Sequence, residues 1–464
     1  MKQTEQGFSE KDFSAQNEQQ LTPVPTVAIL PGEPQAHDPY QALRYRDYRL
    51  LLAGTFFATL GEQMISVALG WDLYDRTGSP LVLGLVGLML VLPVILFSLP
   101  AGHVADRYNR KRIVVLTLFF MALSSLGLAL LAFMHGTIFL IYGCLLVLGT
   151  AEAFNSPAST TLIAQVIPEE AYVNAVTWNS SSWQLAAVIG PALGGLLIAV
   201  FNSATMVYII NAGATLIFAV VLLQIRAQQP RVETKTKEPL TLRSLTDGFN
   251  FIRQTKIILA AITLDLFAVL LGGAVTLLPI YSKDILHVGP EGLGWLRAAP
   301  SIGAVCVALA IAHLPPFKKA GMTLLLAVTG FGIATIIFGL SRSFWLSLVM
   351  LFVLGGLDNI SVVIRSTLML TKTPDEMRGR ASSVNNLFVA MSNQLGGFES
   401  GLTAQFFGPI RSVVGGGIGT ILVVLTVALA WPEMRRLGSL HETESLAISD
   451  ISEEEVQLQN PGTR

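Results

Sequence analysis

The sequence predicts an all-α integral membrane protein with twelve transmembrane helices in two pseudo-symmetric six-helix halves. Three observations predict it. Charged residues make up 13% of the 464 positions and apolar ones 52%, whereas a soluble chain carries about 25% charge. The apolar residues fall in long runs, and at ~20 residues per crossing about a dozen spans and their loops use up the chain. The chain also repeats itself. Thr161-Leu162, Pro168, Glu169, Glu170 and Ala175 recur 206 positions later as Thr367-Leu368, Pro374, Asp375, Glu376 and Ala381, and the same offset carries Glu152 onto Asp358. Span four therefore corresponds to span ten, and parallel repeats of this kind are a transporter architecture.

Residues 1–42 are polar and Pro-containing without an apolar run, and read as a disordered cytoplasmic tail, not a signal peptide. The first half then covers 43–226, a linker 227–256, the second half 257–433, and an acidic tail with Glu453, Glu454 and Glu455 covers 434–464. The spans are expected at approximately 49–74, 80–103, 112–134, 137–164, 171–200, 203–226, 257–282, 290–314, 321–341, 343–370, 382–409 and 411–431. Spans three, six, nine and twelve carry no charge across their apolar cores.

An even span count puts both termini on one side, and the distribution of basic residues chooses that side. With both termini cytoplasmic, all but six of the 30 Lys and Arg lie inside; Arg76, Lys283, Arg297, Arg342 and Arg411 lie outside and Arg365 falls within span ten. In the linker, Leu242, Leu245, Phe249 and Ile252 recur at helical spacing opposite Arg243, Asp247 and Arg253. This predicts an amphipathic helix lying on the inner membrane face, or simply a tether between the halves.

Several function classes fall away. Six His and two Cys, scattered through the sequence, form no metal-ligand cluster, and no Lys follows a Gly, so there is no Walker A loop. A net charge of −1 offers no basic surface to nucleic acid. Neither an enzyme nor a bound cofactor is indicated; the expected partners are the bilayer, a small-molecule substrate and protons, with the chain a monomer.

Gly102-His103-Val104-Ala105-Asp106-Arg107-Tyr108-Asn109-Arg110-Lys111-Arg112, between spans two and three, resembles the signature loop of the major facilitator superfamily. It departs at Val104 and at Asn109, which stands for a Gly; Asn tolerates left-handed backbone, so the turn remains feasible. The resemblance implies that Asp106 sits against the N-terminal end of span eleven and latches the outward-open state. A carboxylate at a helix N-terminus gains ~0.3–1 kcal/mol, enough to bias two nearby states. A plain topogenic charge cluster is the other reading of these residues. The corresponding loop of the second half, around Lys318 and Lys319, keeps only its basic pair.

Phe154-Asn155-Ser156-Pro157-Ala158, Pro168 and Asn174-Ala175, with Thr373-Pro374-Asp375-Glu376-Met377-Arg378-Gly379-Arg380 after span ten, resemble the enterobactin-exporter-like, drug-efflux branch of that superfamily. In span five, Gly190-Pro191 and Gly194-Gly195 resemble the superfamily's antiporter motif. In the family this helix packs near the domain interface and keeps the cavity from leaking; Gly-mediated packing alone would also explain it.

Acids inside spans are costly, ~2.5–3.5 kcal/mol for a central Asp on insertion scales. Glu62, Glu152, Asp265 and Asp358 fall in spans one, four, seven and ten, the helices that line the central cavity in the fold the resemblance implies. A carboxyl group in a low-dielectric cavity can load and release a proton near neutral pH, so these four are the candidate proton-coupling residues. Glu152 and Asp358 could instead bond neighbouring helices, and Asp358 shares a helix face with Arg365 two turns away. Asn179, Asn211, Asn385, Asn386, Asn393 and Gln394 are expected to bond between helices, Arg297 to be able to pair with Glu399, and His103 and His313 to be solvated. Phe56, Phe57, Trp183 and Phe388 offer a cavity wall or face lipid. The resulting expectation is a secondary transporter of the plasma (inner) membrane. By alternating access it exports a small amphipathic molecule, siderophore or drug-like, against protons. An importer or uniporter of the same fold, and a non-transporting sensor or scaffold, are the alternatives.

Overall fold

Span one runs over Arg46–Thr77 and span two over Pro80–Arg107; three, four, five and six follow at Arg110–Phe133, Ile138–Val166, Tyr172–Phe201 and Thr205–Gln224. The computed structural model describes residues 38–225, 242–315 and 317–438. The predicted tails lie almost wholly outside the described residues, as do 226–241 of the linker and the side chains of Leu242, Arg243, Leu245, Asp106 and Asp375. After the linker helix, Leu242–Gln254, span seven starts as Lys256–Leu271 and continues through tighter and wider turns to Ile285; spans eight to twelve are Gly289–His313, Ala320–Leu340, Phe344–Lys372, Asp375–Phe407 and Pro409–Ala430. The described residues are helical with no strand.

Eleven of these segments are long and apolar enough to cross a bilayer. Span eleven is the exception at 33 residues. It carries Asn385, Asn386, Asn393, Gln394 and Glu399 along its length, the composition of a helix that faces protein and water more than lipid. Its first turns are helical from Asp375, not from residue 382 as expected. A helix also occupies most of the signature loop. Span two ends at Arg107 and span three begins at Arg110, so only Tyr108 and Asn109 turn the chain. Asn109 is extended (φ −64°), not left-handed, and its side chain accepts from the backbone N–H of Arg112. Asn thus serves here as the N-cap of span three.

Span seven, expected as one continuous helix, breaks at Gly272-Gly273. Both positions are closely approached: a side chain at Gly272 would strike the Phe331 ring of span nine, and one at Gly273 would strike Ser400 and Gly396 of span eleven. Basic residues satisfy the carbonyls at two helix ends. Lys111 reaches Leu223 O (2.8 Å) and Ile225 O (2.7 Å) at the end of span six. Arg76 reaches Leu131, Ala132 and Gly136 carbonyls past span three while paired with Asp72 at 2.8 Å.

Packing follows the repeat. Span one packs on five and six, three on four and six, and two on four; seven packs on eleven and twelve, nine on ten and twelve, and eight on ten. Five then packs on eight, and two on eleven, across the halves. The linker helix docks on span eleven. Ile252 is buried with Ile258, Met369 and Val384, Phe249 stacks near Phe388 (6.4 Å), and Gly248 lies against Arg380 O. Arg380 also meets Asp247 at 3.4 Å. The apolar face expected on the membrane surface is therefore at least partly covered by protein.

Candidate transport cavity and its seal

One end of the bundle carries the start of span one, the linker helix and the end of span twelve; it is called the tail end here, and the other the far end. At the far end the two halves share one apolar core. Met64, Leu73, Leu128 and Tyr208 of the first half pack in a single cluster with Leu277, Tyr281, Leu293 and Leu296 of the second. Toward the tail end the clusters separate: one holds Leu51, Val114, Leu162 and Leu222 of the first half, another Leu264, Leu324, Leu368 and Val427 of the second. Positions at Gly102 and Gly379 have nothing within 4 Å of where a side chain would stand. The halves are thus joined at the far end and part toward the tail end.

Two helix crossings close the far end. Gly195 of span five meets Pro290 and Gly294 of span eight; a Cβ on Gly195 would stand 2.8 Å from Gly294 Cα. Gly401 of span eleven meets Gly84 of span two, where a Cβ would stand 2.6 Å from Gly84 Cα. Only bare backbone permits these approaches. Gly190 and Gly194 press on Gln63 and Met64 of span one, and Pro191 supplies the carbonyl against Gly294. The antiporter-like motif therefore packs both within its half and across the interface.

A polar cluster caps the same end. The Tyr74 hydroxyl donates to Asp284 Oδ2. Lys283 Nζ pairs with Asp75 Oδ1 at 2.6 Å and stands 5.9 Å from the centre of the Tyr74 ring. Sequence reasoning missed this cluster, reading Lys283 only as a topogenic charge; the signal was opposite charge at the outer ends of both spans one and seven.

The four candidate acids form two sites, one in each half. Glu62 is accessible although it lies mid-span, and it sits near enough to Glu152 for the two charges to interact. The surface it exposes is therefore interior. Asn155 lies beside Glu152 and accepts from the Thr117 hydroxyl at 3.1 Å. No ion pair to either acid is present among the described residues. In the second half, Asp265 is ion-paired with Arg365 across spans seven and ten, each side chain 7% exposed. Asp358 and Asp265 line a cavity of about 10 Å³ together with Ser361, Val328, Phe331 and Leu357, room for about one water. Arg365 thus pairs with Asp265 rather than with Asp358.

The remaining predicted residues divide. Asn211 bonds Ser125 between spans six and three (2.8 Å), whereas Asn393 bonds Val389 O of its own helix. Phe388 belongs to the linker-helix contact, while Phe57 and Trp183 are exposed, at 56% and 53%. His103 and His313 are exposed, as expected. Arg297 and Glu399 form no ion pair among the described residues; Ser400 donates to Glu399 at 3.5 Å. Arg378 reaches Leu370 O at the end of span ten, and Arg110 reaches Ala105 O. Arg107 and Arg112 lie at the tail end too, in span two's last turn and span three's first.

Comparison with known proteins agrees with this architecture. Residues 51–397 match the family model described as Major Facilitator Superfamily. An enterobactin exporter, EntS, of Shigella boydii is 26% identical over 397 residues, covering 84% of this chain and 92% of the relative. The multidrug efflux pump Tap of Mycolicibacterium fortuitum is 26% identical over 400 residues, covering 84% and 96%. Among solved structures, a bacterial homologue of the human lysosomal transporter Spinster, in an inward-facing and occupied conformation, superposes with a TM-score of 0.67 at 14% identity, covering 86% of this chain and 98% of that one. The nucleoside transporter NupG gives 0.66 at 14%, covering 84% and 99%.

Proposed function

The chain belongs to the major facilitator superfamily, and we propose on that basis that it exports a small amphipathic molecule in exchange for protons by alternating access. The relatives named as an enterobactin exporter and a multidrug efflux pump support export of a siderophore or drug-like cargo. Basic residues crowd the tail end, which makes that end cytoplasmic in an inner membrane. The sealed far end and the parted halves at the tail end support an inward-open reading, with cargo entering from the cytoplasm between the halves. Rocking about the span five–eight and two–eleven crossings opens the seal to the outside.

The observation that carries the coupling is the Glu62–Glu152 site. Two carboxylates of one half approach each other with no counter-cation among the described residues, and one of them borders accessible interior space. Like charges in such a place favour holding a proton between them. Loss of that proton to the cytoplasm and its uptake from outside give the exchange its direction. Asp358, beside the one-water chamber, is the second candidate carrier; Asp265 is held by Arg365 and fixes span seven to span ten. Asp106 with Arg107, Arg110, Lys111 and Arg112 in the loop between spans two and three, and Asp375 with Arg378, Gly379 and Arg380 in the segment after span ten, act as the gating loops of the opposite state. Export of a fluorescent dye from proteoliposomes under an imposed pH gradient tests the reading. Flux that follows the gradient supports it; flux indifferent to the gradient discards proton coupling.

A further inference from the structure

Arg297 differs from three other cations of the spans. Arg365 is neutralised by Asp265, Arg76 by Asp72 and three carbonyls, and Lys283 by Asp75. Arg297 has no hydrogen bond or ion pair among the described residues. It is eight residues into span eight, which begins at Gly289, and so lies about 12 Å along the helix from its far-end start at 1.5 Å per residue. An unpaired guanidinium at that depth is expensive in a bilayer and marks a functional site.

Its direction follows from the helix register. Gly294 faces span five, while Pro300 and Gly303 face span ten; at about 100° per residue, Arg297 falls between those two directions. Trp295 and Leu309, the exposed apolar residues of span eight, lie on the opposite side, toward lipid. Arg297 is only partly buried, and none of its nitrogens is among the sealed, unpartnered polar atoms. The guanidinium therefore borders accessible interior space. Toward the far end, the preceding residue Leu296 and, one turn on, Leu293 are fully buried in the apolar seal. Arg297 thus stands at the closed end of the cavity, where a cargo entering from the tail end stops.

We propose that Arg297 is the anion-recognition residue of the cavity, and that the cargo carries an acidic group, such as a carboxylate, seated on this guanidinium. This deepens, and rests on, the exporter reading: the acids Glu62 and Glu152 of the first half handle protons, and Arg297 of the second half handles the cargo's charge. Arg suits the task because its planar fork can bind such an oxyanion through two donors.

The test uses two dyes with one fluorophore and opposite charge, dansylglutamate and dansylcadaverine, in proteoliposomes of the full chain under a pH gradient. The wild type is expected to move dansylglutamate at least tenfold faster than dansylcadaverine. Arg297→Gln is expected to lower that ratio at least tenfold, and Arg297→Lys to keep it within about threefold of wild type. The ratio does not depend on how much protein inserts, so poor folding of one variant does not mask the answer. A wild type without preference for the anionic dye, or a ratio unmoved within twofold by Arg297→Gln, overturns the inference. Gradient-driven flux of dansylcadaverine alone overturns it while leaving the exporter reading standing; flux of neither dye counts against both.

Discussion

Span four of the first half and span ten of the second carry an acid at the same register, Glu152 and Asp358, yet the two surroundings differ. The repeat holds in space as well as in sequence: Gly190 packs on Gln63, and 206 positions later Gly396 packs on Val269. Gly195 and Gly401, again 206 apart, make the two crossings between halves. On this shared frame the charges diverge. The second half has Asp265 and Arg365 where the first has Thr59 and Ser159, and Glu62 of the first half stands where the second has Ala268. One half therefore holds an acid pair with no cation paired to it among the described residues, and the other an ion pair with a third acid nearby. The backbone plan serves packing and rocking, and the charge pattern assigns the two halves different work.

The largest expected effect breaks the second half's ion pair. Arg365→Met leaves Asp265 buried and uncompensated, which costs about 3–5 kcal/mol of stability. Adding Asp265→Asn should recover most of it, measured by thermal or denaturant unfolding in detergent. Glu62→Gln with Glu152→Gln should instead leave the protein at least as stable, because it removes a repulsion. Equal damage from both pairs of changes would erase the contrast between the halves.

Next come the glycine crossings. Gly195→Leu and Gly401→Leu both drive a side chain into backbone, so each should prevent the far end from closing and cut transport more than tenfold. The two variants should behave alike, and an effect confined to one would break the pseudo-symmetry of the seal. Tyr74→Phe removes a hydrogen bond to a carboxylate, worth about 1.5–3 kcal/mol. It should raise far-end accessibility, read by labelling a cysteine placed beside Asp284. The smallest effect is at Lys283–Asp75, a partly exposed pair whose side chains are 36% and 54% exposed. A double-mutant cycle with Lys283→Ala and Asp75→Asn on the same readout should give about 0.2–1 kcal/mol, falling as salt rises.

Much of this was legible in the sequence because a bilayer constrains it so strongly. Long apolar runs can cross only as helices, and the offset from Glu152 to Asp358 revealed the repeat. The polar span eleven was counted among the twelve spans even though its composition is the least membrane-like. The break in span seven was not legible: Gly272 and Gly273 matter through Phe331 and Gly396, contacts distant in sequence. For the same reason Arg365 was weighed against Asp358 on its own helix, while its partner Asp265 lies on another. The Tyr74–Asp284 contact joins residues 210 positions apart, and periodicity within one span carries no trace of it. The contact of the linker helix with span eleven was not legible either: Gly248 matters through the Arg380 carbonyl, 132 positions away.

The most direct test of the division of labour measures pH-gradient-driven dye export in proteoliposomes, comparing wild type, Glu62→Gln/Glu152→Gln and Asp265→Asn/Arg365→Met. Gradient stimulation should vanish in the first double variant and persist in the second. Stimulation that survives the loss of both first-half acids, or that disappears only when the second-half pair is neutralised, would contradict the account.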